Sequence, residues 1–124
     1  MTQPLALVLY EKLLPGSQLI NRMQDLGYRV LHVPGAGALQ AFAEKEMPML
    51  VLADLVARSS NVPEAIAKLR QNPATSHVPV IAFADERAAD LRVAAEKAGA
   101  ALVVSDVAIL THLEQFLERA LRLD

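Results

Sequence analysis

Apolar and polar positions along this chain alternate between two periods. Leu5–Tyr10 (LALVLY) is a continuous apolar run of strand length, the pattern of a parallel strand covered on both faces. From Gln18 to Leu26 the spacing becomes helical, with Leu19, Ile20, Met23 and Leu26 along one stripe and Gly27 placed to end the helix. Tyr28–Val33 (YRVLHV) predicts a second strand, broken by Pro34 and Gly35. Ala38–Glu46 predicts a helix with Leu39, Phe42 and Ala43 apolar, and after Pro48 the run Met49–Ala53 (MLVLA) predicts a third strand. A polar loop at Arg58–Asn61 leads to Pro63, well suited to a helix start, and to a third helix over Glu64–Gln71. Beyond the loop Asn72–His77, Val78–Phe83 (VPVIAF) predicts strand four. Asp85 is a candidate cap for a helix reaching Ala98, with Gly99 as its stop. Ala100–Val104 (AALVV) predicts strand five, and Ser105 or Asp106 is a candidate cap for a last helix to about Leu121.

Five β units, each followed by α, predict a doubly wound α/β fold: a five-stranded parallel sheet covered by five helices. An all-helical bundle is the structural alternative, because Ala and Leu favour helices. The bounded runs LALVLY, MLVLA and VPVIAF weigh against it. Every connection is short, with no linker, repeat or low-complexity tract, so residues 1–124 are expected to form one domain with no room for an appended output domain.

Composition sharpens this picture. Apolar residues make up 53% of the chain and charged residues 21%, the opposite of the balance that keeps chains disordered. The 21 Ala and 20 Leu against three Phe, two Tyr and no Trp mean that small aliphatic side chains build the core and few aromatic platforms exist for stacking bases. The formal net charge of −2 argues against a nucleic-acid binder. With no cysteine, disulfides, thiolate metal sites and thiol nucleophiles are excluded. No apolar run approaches membrane-spanning length and the N-terminus lacks a basic start, so a soluble cytoplasmic domain is expected.

In an open α/β sheet, ligands bind at the carboxyl ends of the strands near the topological switch point. The residues following the predicted strands are Tyr10 and Glu11, Asp54, Ala84 and Asp85, and Ser105 and Asp106. Four carboxylates therefore converge on one edge. At these residues the chain resembles the receiver domains of two-component response regulators, over essentially its whole length. PMLVLADL (48–55) is similar to the family's segment carrying the phosphoacceptor aspartate, which falls on Asp54. GYRVLHVPGAGALQAF, VPVIAFA (78–84) and AGAALVVSD (98–106) resemble the regions of the second, fourth and fifth strands. The intervals from Asp54 to Ala84 (84 − 54 = 30) and from Ala84 to Asp106 (106 − 84 = 22) fit the family's spacing without a gap.

The resemblance also implies residues that are not there. Of the acidic pair expected after the first strand, which helps hold Mg²⁺, only Glu11 is kept, beside Tyr10. The switch hydroxyl falls on Ala84, the aromatic switch partner on Val103, the lysine on Asp106 and the following proline on Val107. The Met-Pro-Gly turn after the phosphoacceptor is replaced around Ala57–Val62. Phosphoryl transfer depends on neutralising charge, so an aspartate in place of a lysine repels the incoming group. Asp54 is thus expected to be a poor phosphoacceptor. The acid edge offers a second hypothesis: Glu11, Asp54 and Asp106 can hold a hard cation, assisted by a backbone carbonyl near Val56. Without a cation, such carboxylates should raise one another's pKa. Against this stand neutralisation by Arg58, Lys12 or Arg87, and the reading of Asp85 and Asp106 as helix caps pointing away.

Other features carry less. Gly35-Ala36-Gly37 is half of a phosphate loop, but its third glycine position is Gln40, so a turn into a helix is expected. His32, His77 and His112 lack metal-type spacing and read as structural or surface residues. The broad apolar stripe of the last helix and Ala88, Ala89, Leu91 and Val93 of the fourth leave a remainder for a partner or dimer surface. The resemblance implies the face of the fourth helix, fifth strand and fifth helix for association. The expected protein is a stand-alone, degenerate receiver, not an enzyme, that recognises a histidine kinase or downstream target with weak or absent phosphorylation. The alternatives are a conventional phosphoaccepting receiver with unusual residues, or a small-ligand domain on a flavodoxin-like scaffold.

Overall fold

The computed structural model describes residues 4–10, 13–56 and 61–121, with the backbone alone at 13–15. Strands β1 (Leu5–Leu9), β2 (Arg29–Val33), β3 (Leu50–Asp54), β4 (Val80–Ala84) and β5 (Leu102–Ser105) alternate with helices α1 (Leu13–Asp25), α2 (Ala36–Glu46), α3 (Val62–Gln71), α4 (Ala89–Ala98), α5 (Asp106–Thr111) and α6 (Leu113–Leu121). The expected last helix is divided at His112, so six helices replace the five predicted. All strand pairs are parallel, in the order β2-β1-β3-β4-β5. The chain leaves β1 towards β2 and returns to the far side of β1 as β3, so the switch point lies between β1 and β3.

Side-chain alternation divides the core in two. Leu7, Leu9, Val51, Ala53, Val80, Ala82 and Ala84 pack towards α2, α3 and α4. Ala6, Val8, Leu50, Leu52, Ile81 and Phe83 pack towards α1, α5 and α6. The three central strands are buried at every position, which is why they read as continuous apolar runs. The outer strand β5 is only partly buried throughout. Glycines close α1 and α4 in the left-handed region, Gly27 at φ 93° and Gly99 at φ 107°, where a side chain is strained. Among the described residues, no helix is long and apolar enough to cross a membrane.

Two boundaries shift for physical reasons. Helix α1 begins at Leu13, earlier than expected, and runs through Pro15 and Gly16. Proline is tolerated there because first-turn N–H groups have no intrahelical acceptor. Helix α4 begins only at Ala89, and its N-cap, Ala88, makes no side-chain cap bond. Asp85 is therefore not the cap the sequence suggested.

Candidate functional site

The strand register assembles the carboxyl edge residue by residue. Leu9 pairs with Ala53, so Tyr10 and Asp54 follow on neighbouring strand ends at the switch point. Asp54 pairs with Phe83, and Ala84 pairs with Ser105, which brings Asp106 to the same edge. Asp54 is 6% exposed, one of two buried polar residues among those described. Its Oδ1 accepts the Val56 N–H at 3.0 Å, a two-residue loop bond that fixes the carboxylate relative to the turn leaving β3. Ala84 and Val103 sit in the core towards α4, one buried and one partly buried, where they offer methyl groups and no hydrogen bond.

The acids on the other half of the edge are already engaged. Asp85 Oδ1 accepts the Arg87 backbone N–H at 2.8 Å, and the Arg87 guanidinium donates Nε to Oδ1 at 3.1 Å and Nη2 to Oδ2 at 3.3 Å. The hydrogen bonds from Arg87 hold the Asp85 carboxyl below the usual carboxylate range, with the guanidinium charge adding to them. At Asp85 the cation two residues away, rather than a second carboxylate, sets the direction. Asp106 contributes a weaker attraction to the same guanidinium. Arg87, one of the three candidate neutralising cations, thus acts at this edge; Lys12 and Arg58 lie outside the described residues.

Ser105 is the cap of α5, its Oγ accepting the Ala108 N–H at 3.0 Å. Asp106 is the first helical residue rather than the cap, an acid placed favourably in the first turn. Asp85, Glu86, Ser105, Asp106 and His112 line an open depression of about 470 Å³. Glu11, the other proposed cation ligand, lies outside the described residues. Among the described residues no three His, Cys, Asp or Glu side chains form a group that could hold a metal ion.

One arrangement at the switch point was not read from the sequence. His32 stacks on Tyr10, ring centroids 4.1 Å apart, and its Nε2 lies 3.0 Å from the Tyr10 carbonyl oxygen. Tyr10 also lies over Gly16 of α1. The available signal was positional: Tyr10 and His32 stand near the ends of two strands that pair as neighbours. Gly35 and Gly37 do what was expected of a turn into a helix, Gly35 being the N-cap of α2.

No model of a known protein family matches the chain, and no curated protein matches it in sequence. Solved structures do match it in shape, and they are receiver domains and response regulators. A proposed response regulator from Chloroflexus aurantiacus superposes with a TM-score of 0.89 at 16% identity, covering 98% of this chain and 100% of that one. The receiver domain of NtrX from Brucella abortus gives 0.85 at 18% identity, with 96% and 99% covered. The chemotaxis protein CheY4 of Vibrio cholerae gives 0.84 at 16% identity, again with 96% and 99% covered. The chain therefore has the flavodoxin-like receiver fold from end to end of its described residues.

Proposed function

We propose that this chain is a degenerate receiver domain of two-component signal transduction, working in the cytoplasm by protein–protein recognition rather than catalysis, with weak or absent phosphorylation of Asp54. The observation that carries this reading is the company Asp54 keeps. It sits buried at the end of β3, where a receiver's phosphoacceptor is expected, yet the strand ends beside it carry Ala84 and Asp106. A phosphoryl group arriving at Asp54 brings negative charge that positioned cations must neutralise. Asp106 opposes that charge, and Arg87 is bound to Asp85. Ala84 has no hydroxyl to hydrogen-bond a phosphoryl oxygen, and Val103 has no ring to move in response.

The family implies Mg²⁺ at such a site. The described donors fall short of a hard-cation set: Asp54 supplies a carboxylate, Tyr10 stands where an acid is expected, and Asp85 is bound by Arg87. Weak binding of Mg²⁺ through Glu11, Asp54 and the Val56 carbonyl belongs to the proposal. Millimolar Mg²⁺ or Ca²⁺ raising the melting temperature by several degrees would show a stronger site than proposed here.

The partner is a signalling protein, a histidine kinase or a downstream target. Self-association through α4, β5 and α5 is the second part of the reading, supported by Val93 and Val107, 47% and 71% exposed on that side of the molecule. The deciding experiment is incubation with Mg²⁺ and a small phosphodonor, followed by intact mass. Sub-stoichiometric addition supports the degenerate reading; one acyl phosphate per chain at Asp54 overturns it in favour of a conventional receiver.

A further inference from the structure

At the opposite end of β3 from Asp54, the chain exposes two thioethers. Residues 47–50 alternate exposed, buried, exposed, buried: Pro48 and Leu50 are anchored inside, while Met47 and Met49 are 73% and 50% exposed. Met23 of α1 is 0% exposed in the core between that helix and the sheet. Met47 is also the one non-glycine residue with positive φ among those described, at φ 50° and ψ 61°, where it caps α2 through its N–H to the Ala43 carbonyl. Glycine is the favoured residue in that conformation, so this cap holds a large apolar side chain in water at a conformational cost. Met49 joins the edge of the sheet through its backbone, its N–H donating to the Leu5 carbonyl at 2.8 Å. Both side chains can therefore change chemically without disturbing either of these backbone bonds.

We propose that Met47 and Met49 form a surface oxidation site for hydrogen peroxide. Each thioether sulfur takes one oxygen atom from the peroxide, whose O–O bond breaks; sulfur is oxidised to the sulfoxide and the peroxide is reduced to water. The products are polar sulfoxides on side chains already in solvent, so the fold tolerates them, and methionine sulfoxide reductases can reverse them. Met23 is shielded because the oxidant must reach the sulfur, and a sulfoxide there would place a polar group in a packed core. This site lies at the other sheet edge from Asp54 and does not depend on the receiver reading.

The test is peroxide oxidation of the intact chain, followed by peptide mapping. Met47 and Met49 are expected to gain one oxygen each at rates within about threefold of free methionine, and Met23 about tenfold or more slowly. In denaturant all three should react alike. The oxidised folded protein should keep its far-ultraviolet circular dichroism and melt within about 2 °C of the untreated chain. A Met47→Leu/Met49→Leu variant should lose the two fast additions and remain folded. Met23 reacting as fast as the other two in the folded chain, resistance of Met47 and Met49, or collapse of the melting temperature on their oxidation would each overturn the proposal.

Discussion

The ring of Tyr10 covers Gly16 so closely that a Cβ added to Gly16 would lie 2.6 Å from Tyr10 Cγ. The same ring stacks on His32, so the residue that follows β1 is clasped between α1 and the end of β2. Two opposing effects then meet at position 16. Alanine in a helix interior is favoured over glycine by about 0.5–1 kcal/mol, whereas overpacking costs about 1–3 kcal/mol. Gly16→Ala is expected to lower the melting temperature in the native background and to raise it in a Tyr10→Ala background. Thermal melts of the two single variants and the double variant give the coupling directly.

Thr75 is almost fully buried between α3 and β4, and its hydroxyl donates to the Leu69 carbonyl at 2.8 Å. Gln40 Nε2 donates to Thr75 Oγ1 at 3.3 Å and to Glu44 Oε2 at 2.8 Å, while Asn72 Nδ2 also donates to Glu44 Oε2 at 2.9 Å. Thr75→Val keeps the shape and removes the hydroxyl. A loss of about 1–2 kcal/mol is expected from urea unfolding, with an unchanged m-value.

The Asp85–Arg87 pair gives a pH prediction with a definite sign. The folded carboxyl is held below its ordinary pKa by the hydrogen bonds from Arg87. Its contribution is therefore fully present above the unfolded-state pKa of an aspartate and is lost as pH falls through the lower folded value. Arg87→Ala should move the Asp85 carboxyl back up in an NMR titration and flatten the acid side of the stability profile. The pair is solvent-exposed, so the effect on stability at neutral pH should be small.

The company of Asp54 can be changed by substitution. Asp106→Lys replaces a repelling charge with an attracting one, and Ala84→Thr supplies a hydroxyl. The double variant should carry more acyl phosphate after incubation with Mg²⁺ and a small phosphodonor than the native chain does. Adding Asp54→Ala should abolish the gain. No increase in the double variant would place the defect elsewhere, with Tyr10 the next residue to change.

Much of the architecture was legible one segment at a time. LALVLY, MLVLA and VPVIAF announced buried parallel strands because both of their faces are covered, and a run without polar interruptions is the direct trace of that burial. The position of Asp54 at the end of such a run was legible for the same reason. Helix α1 starts before the Gln18 spacing that announced it: Pro15 sits where a helix needs no N–H, and Gly16 is small because Tyr10 lies on it. Asp85 was misread as a helix cap because the pattern does not say which donors will reach a carboxylate first; Arg87 does. The last helix reads as one apolar stripe, yet its backbone departs from helical geometry at His112.

The sequence by itself determined the order of elements, the parallel sheet and the set of residues that end its strands. Hydrophobic periodicity reports burial, and burial in this fold follows from the layering of helices on a sheet. Only the tertiary structure decided which of those strand-end residues act on one another. Tyr10 is clasped by His32 and Gly16, Arg87 is bound to Asp85, and Ser105 rather than Asp106 caps the last turn of chain to leave the sheet. Such pairings depend on distances of a few ångströms between residues far apart or competing locally, and no linear pattern carries that information.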